Sequence, residues 1–240
     1  MRRAARITGT VMIVAGACSI AWALVVWQWQ DPFTAVYTRY QQHKLASNFA
    51  HSFAAYRPPD AVRRAAGDAR RSVSGERAQV KIAAEAYRRA LQEGEPVGRL
   101  VVPRLGLKSI VVNGTSHDDL TRGPGRDLHT YMPGEGELVY VAGHRTTYLA
   151  PFAHIDSLRP GDKITFELPY ATFDYVVTGH SIVTADDLDV LRTHHKEVLA
   201  LQACHPRFFA THRYIAWAKL VRVEPREGEP YSLGAAGPIA

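Results

Sequence analysis

Cysteine is almost missing from this chain: there are two among 240 residues, and only Cys204 lies outside the apolar N-terminal stretch. A disulfide framework is therefore excluded for everything after that stretch. If that portion is exported, Cys204 is a free thiol in an oxidising compartment, a liability unless its chemistry is used. That makes it the leading nucleophile candidate, set against its other reading as a small apolar filler. Stacking aromatics are missing from the basic runs. Arg63-Arg64, Arg70-Arg71 and Arg88-Arg89 alternate instead with Asp60, Asp68, Glu76, Glu85 and Glu93. Such a mixture describes a solvated helix face and excludes nucleic acid as an expected partner, despite a formal charge of +6. A helical metal pair is missing too. His194-His195 lack i, i+4 spacing and His205 runs into a proline turn, so a catalytic metal is not expected.

What is present begins with an anchor. Ile7 to Trp29 is uncharged and largely apolar, long enough at ~1.5 Å per residue to cross a hydrocarbon core of ~30 Å. Arg2, Arg3 and Arg6 precede it, and Trp27 and Trp29 close it at the interface. This pattern predicts a cytoplasmic N-terminus with the remainder outside the cell membrane. A cleaved signal peptide is the rival, but apolar character continues past any small-residue site.

The rest divides into three. Residues 31–96 read as a helical stalk broken at Pro58-Pro59 and loosened at Gly67 and Ser72–Gly75. Val80, Ala83, Ala84, Tyr87 and Leu91 place one apolar face on a helix over 76–92. From 97 to 223 short apolar runs are punctuated by Gly, Pro, Asn and Asp. They predict strands near 98–103, 108–112, 137–142, 163–168, 171–180, 198–204 and 213–222, with short helical turns near 117–120, 151–154 and 186–191. Many short strands without an internal repeat indicate a mainly β protein, a closed or nearly closed barrel with helical insertions. Residues 224–240 read as a loose tail.

Three chemically useful residues fall at strand ends. Leu138–Ala142 runs into Gly143-His144, Cys204 closes one strand, and Arg213 opens the next. If the last two strands pair, the Cα atoms of Cys204 and Arg213 lie roughly 5 Å apart. A thiolate needs a proton acceptor, and an acyl-transfer intermediate needs a cation or donors where its oxyanion forms. Histidine and arginine supply them.

From Gly98 to Val223 the chain resembles the sortases, most closely class E, the housekeeping type of high-GC Gram-positive bacteria. The resemblance is carried by Arg99–Leu107, Leu120–Gly125, Ala142–Tyr148, Ala150–Phe152, Leu158–Asp162, Cys204-His205-Pro206 and Arg213–Ile215. It implies an eight-stranded sortase barrel with His144, Cys204 and Arg213 as catalytic residues and no cofactor. It also implies that Cys204 attacks the Thr–Gly bond of an L-A-x-T-G-like sorting signal on secreted proteins. The acyl group then passes to an amine of peptidoglycan or its lipid-linked precursor. Tyr148, Thr146 and Ala203 are carried over as substrate-binding residues. One departure stands out: the family's T-L-x-T-C reads Ala200-Leu201-Gln202-Ala203-Cys204 here, so both threonines are alanine. Strand alternation turns position 203 away from the attacking sulfur. A pilin-polymerising sortase and a sortase-like binding module without catalysis are the alternatives. The first is disfavoured because no long lid segment is evident, the second because all three catalytic residues are kept.

Overall fold

The computed structural model describes residues 2–29, 32–60, 62, 72–193 and 195–233; Gly67, His194 and the last seven tail positions lie outside them. Eight strands close a ring: β1 (Pro96–Val102), β2 (Leu107–Asn113), β3 (Gly125–Arg126), β4 (Leu138–Ala142), β5 (Lys163–Glu167), β6 (Ala171–Thr184), β7 (Val198–His205) and β8 (His212–Pro225). The order is β6-β5-β1-β2-β3-β4-β7-β8, and β6 pairs with β8 to complete it. Period-two burial makes this possible. Along β6, Ala171, Phe173, Tyr175 and Val177 turn inward while their neighbours stay part-exposed. Along β7, Leu199, Leu201 and Ala203 join the same interior cluster. A second cluster forms on the outer face, where Ala200 meets Tyr140 and Ile215 beneath Val190 and Leu191 of the β6–β7 connection.

The weakest seam is β3, two residues long. It pairs in parallel with β2 through Val112–Gly125 and antiparallel with β4 through Gly125–Ala142. Arg126 holds it from inside, donating to Asn113 Oδ1 (2.7 Å) and the Thr130 carbonyl (2.5 Å). Burial pushes that guanidinium down to about 10. Where β3 runs out, the Gln42 carboxamide takes over. It accepts from the Ile110 N–H (2.8 Å) and donates to the Ile110 carbonyl (2.9 Å), satisfying the strand edge as a further strand would.

Gln42 belongs to α2 (Pro32–Ala55), which follows α1 (Arg2–Trp29). The described part of the expected stalk does not stand free of the barrel. α2 lies on the barrel, with Leu45 and Phe49 buried against Ile110 and Val112 and Thr38 Oγ1 donating to the Thr121 carbonyl of α4 (His117–Arg122). The α3 helix (Val73–Ala90), capped by Ser72, buries Val80, Ala83 and Ala84 in the barrel cluster. The tail also begins later than expected. Tyr231–Ser232 forms β9 on β8, and Tyr231 is buried. α1 is long and apolar enough over Arg2–Leu24 to cross a bilayer.

Candidate active site

β7 and β8 form an antiparallel ladder in which Cys204 stands opposite Arg213 and His205 opposite His212. Alternation puts Cys204 on the outer face of the sheet, part-exposed, while Ala203 is fully buried in the core. Ala203 was carried over as a substrate contact; its burial leaves it no surface for a substrate to touch, because the strand turns it inward. β4 runs parallel to β7, with Ala142 opposite Gln202. The Gly143 N–H extends that ladder to the Gln202 carbonyl (2.9 Å). His144 and Cys204 thus occupy equivalent positions just past the last paired residues. The sequence-derived trio converges on one end of the barrel.

Gly143 is required by close approach: a Cβ there would come within 2.6 Å of the Phe152 ring. Its absence lets the 143–154 loop fold back, and the Phe152 N–H reaches the His144 carbonyl at 3.1 Å. The turn is completed by three consecutive left-handed residues, Tyr148, Leu149 and Ala150. The Tyr148 ring lies 5.0 Å from the His144 ring, tilted by 37°. Its backbone N–H donates to Thr34 Oγ1 of α2 (3.1 Å). Thr146 is half-buried in the same loop.

His144 is half-buried and its Nε2 has no hydrogen-bond partner among the described residues. Burial first, then His117, lowers its pKa below the ordinary histidine value, so the neutral imidazole is favoured. The Arg213 Nη1 donates to the Ala210 and His212 carbonyls (2.9 and 3.0 Å). Among the described residues its Nε and Nη2 have no partner, leaving one edge of the planar fork open.

A fourth residue was missed by sequence reasoning. Arg145, 5% exposed, donates from Nη1 to the Cys204 carbonyl (3.2 Å), with His205 Nδ1 3.1 Å from the same nitrogen. Its Nη2 pairs with Asp156 at 2.7 Å. It pins the backbone of the cysteine from beneath. The available signal was its place directly after His144 in a loop, where alternation sends one side chain out and the next inward.

The Sortase domain family model matches residues 100–221. Sortase D of Bacillus subtilis (strain 168) is 33% identical over 134 residues, covering 54% of this chain and 66% of its own length. The chain thus spans just under two thirds of that relative. The crystal structure of sortase E1 from Streptomyces coelicolor, with a tripeptide in its active site, is 27% identical with a TM-score of 0.52, covering 55% of this chain and 92% of that one. A Clostridium perfringens sortase D5 transpeptidase shares the fold at 22% identity and a TM-score of 0.59, covering 75% of this chain and 98% of its own. Class D relatives therefore stand beside class E at comparable, modest identity, and the class E resemblance is supported only as far as the family. The match extends over half of the chain, including β4, β7, most of β8 and with them His144, Cys204 and Arg213: this protein belongs to the sortase family.

Proposed function

We propose that this protein is a membrane-anchored cysteine transpeptidase that joins secreted proteins to a cell-wall amine. The observation that carries the reading is the cross-strand pair of Cys204 and Arg213 on an outer sheet face, beside the strand that ends at His144. The Cys204 sulfur attacks the threonine carbonyl of a Thr–Gly bond in a C-terminal sorting signal. His144, held neutral by burial, takes the thiol proton as the C–S bond forms. The open edge of Arg213 donates to the carbonyl oxygen as it becomes an oxyanion. His144 then returns the proton to the departing glycine nitrogen, the C–N bond breaks, and a thioester remains on Cys204. An incoming amine, from peptidoglycan or its lipid-linked precursor, reverses the sequence. It gives its proton to His144, forms the amide and restores the thiol. Tyr148, packed on His144, and Thr146 line the approach of the sorting peptide. α1 anchors the chain in the cell membrane with its N-terminus in the cytoplasm.

Within the family, the class E resemblance favours an L-A-x-T-G signal. The test is a transpeptidation assay with L-A-x-T-G and L-P-x-T-G peptides and a short amine acceptor. Faster transfer from the L-A-x-T-G peptide is expected, and none with Cys204→Ala. Preference for L-P-x-T-G would overturn the class assignment, and turnover by Cys204→Ala would overturn the mechanism.

A further inference from the structure

The barrel end that carries Cys204 is also the end nearest α1. The Tyr148 N–H of the active-site loop donates to Thr34 Oγ1, and five residue steps separate Thr34 from Trp29, the last residue of α1. That is at most about 18 Å of chain, whatever conformation the intervening residues adopt. The active-site loop is therefore confined to within that length, plus one side chain and its hydrogen bond, of the end of α1. Because β4 and β7 are parallel, the β7–β8 loop leaves the barrel at this same end. It presents Phe208 and Phe209, 52% and 77% exposed. Arg207 lies beside them, its guanidinium carbon 5.2 Å from the Phe208 ring centre. Among the described residues no carboxylate pairs with Arg207, and its buried Nε has no hydrogen-bond partner.

Two adjacent exposed aromatic rings beside an unpaired guanidinium match the chemistry of a bilayer interface. Rings settle there at headgroup depth and arginine meets lipid phosphate. We infer that the β7–β8 loop is a second membrane contact. Phe208 and Phe209 enter the interface of the bilayer that α1 crosses, Arg207 engages a lipid phosphate, and the Cys204 site opens at the membrane surface. The inference rests on the reading of α1 as an anchor. The β6–β7 connection, which starts at the same end, carries Asp186, Asp187 and Asp189 around an exposed Leu188. Anionic lipid is repelled there, so insertion falls to the β7–β8 loop alone. An acceptor amine carried on a lipid headgroup would then meet the thioester without leaving the interface.

The test uses the full chain in phosphatidylcholine–phosphatidylglycerol vesicles, with Cys18→Ser and Cys204→Ala removing the native thiols. A polarity-sensitive fluorophore is attached through Phe209→Cys or, at the opposite barrel end, Glu229→Cys. Probe 209 should shift to the blue and be quenched by lipids spin-labelled near the headgroup, whereas probe 229 should do neither. If the protein floats with the vesicles but probe 209 behaves like probe 229, the loop contact is wrong while the anchor stands. If it does not float, the anchor reading falls and takes this inference with it. In the otherwise native chain, Phe208→Ser with Phe209→Ser should reduce transfer onto a bilayer-embedded amine about tenfold, while transfer onto a soluble amine stays within about twofold. An equal fall on both acceptors would mean that the loop binds the sorting peptide instead, and would refute the membrane contact.

Discussion

Arg145→Met removes the buried guanidinium beneath Cys204 while keeping a long apolar side chain, so the site loses donors without gaining a large cavity. Two contacts disappear that carry most of the energy: the bond to the Cys204 carbonyl at 3.2 Å and the pair with Asp156 at 2.7 Å. Breaking a fully buried pair costs about 3–5 kcal/mol because the partner charge is stranded. Asp156 is not stranded, since its side chain is 53% exposed and water replaces the arginine. What remains is the loss of a charged hydrogen bond to a backbone carbonyl, about 1.5–3 kcal/mol. Urea unfolding of the full chain in detergent should show a stability loss in that range through a lower midpoint with unchanged slope. The Cys204 carbonyl and the β7–β8 turn would lose their common tether. kcat/KM for peptide cleavage, measured far below the unfolding midpoint, should therefore fall at least about tenfold. Asp156→Asn removes the counter-charge of a guanidinium that is only 4% exposed but keeps an amide oxygen as acceptor, so it should cost about 1–3 kcal/mol. An Arg145→Met protein within about 0.5 kcal/mol of the parent and equally active would refute the assignment of Arg145 as a positioning residue.

Arg213→Lys keeps the charge but not the planar fork, half of which is engaged by the Ala210 and His212 carbonyls. Transpeptidation should drop about 10²–10³-fold, and activity within threefold of the parent would show that charge alone suffices. Ala203→Thr enlarges a fully buried core residue and should cost about 1–3 kcal/mol in denaturant. kcat/KM per folded molecule should stay within about tenfold; a larger change would mean that position 203 reaches the substrate. The lowered pKa of His144 means the unfolded chain binds more protons there than the folded one. This contribution is fully present above the unfolded value and is lost as pH falls through it toward the folded value. Between pH 8 and 5 the parent should lose more stability than His144→Gln, and equal losses would contradict the burial of a neutral imidazole.

The barrel was legible wherever alternation was long enough to read. β1, β2 and β4–β8 all fall where short apolar runs occur between turn residues. β3 was not legible, because two residues carry no period and its stability comes from Arg126 and Gln42, partners distant in sequence. The docking of α2 was hidden for a related reason. Its buried face mixes Leu45 and Phe49 with Thr38 and Gln42, whose polar groups bond to backbone of α4 and β2, so no clean apolar stripe marks it. His144, Cys204 and Arg213 could be placed near one end of the barrel from the sequence because each sits at an edge of an apolar run. Arg145 was not, since an arginine in a loop usually points to solvent, and only the fold reveals that this one supports the cysteine backbone from inside.

The most direct measurement is the mass of the intact chain after incubation with an L-A-x-T-G peptide and no amine acceptor. A gain equal to the peptide acid through its threonine less one water, mapped by digestion to Cys204 and released by added amine as the amide product, is expected. The adduct should be missing from Cys204→Ala. No adduct in a folded protein that still processes the peptide, or an acyl group on Cys18 or any residue other than Cys204, would contradict the cysteine transpeptidase mechanism.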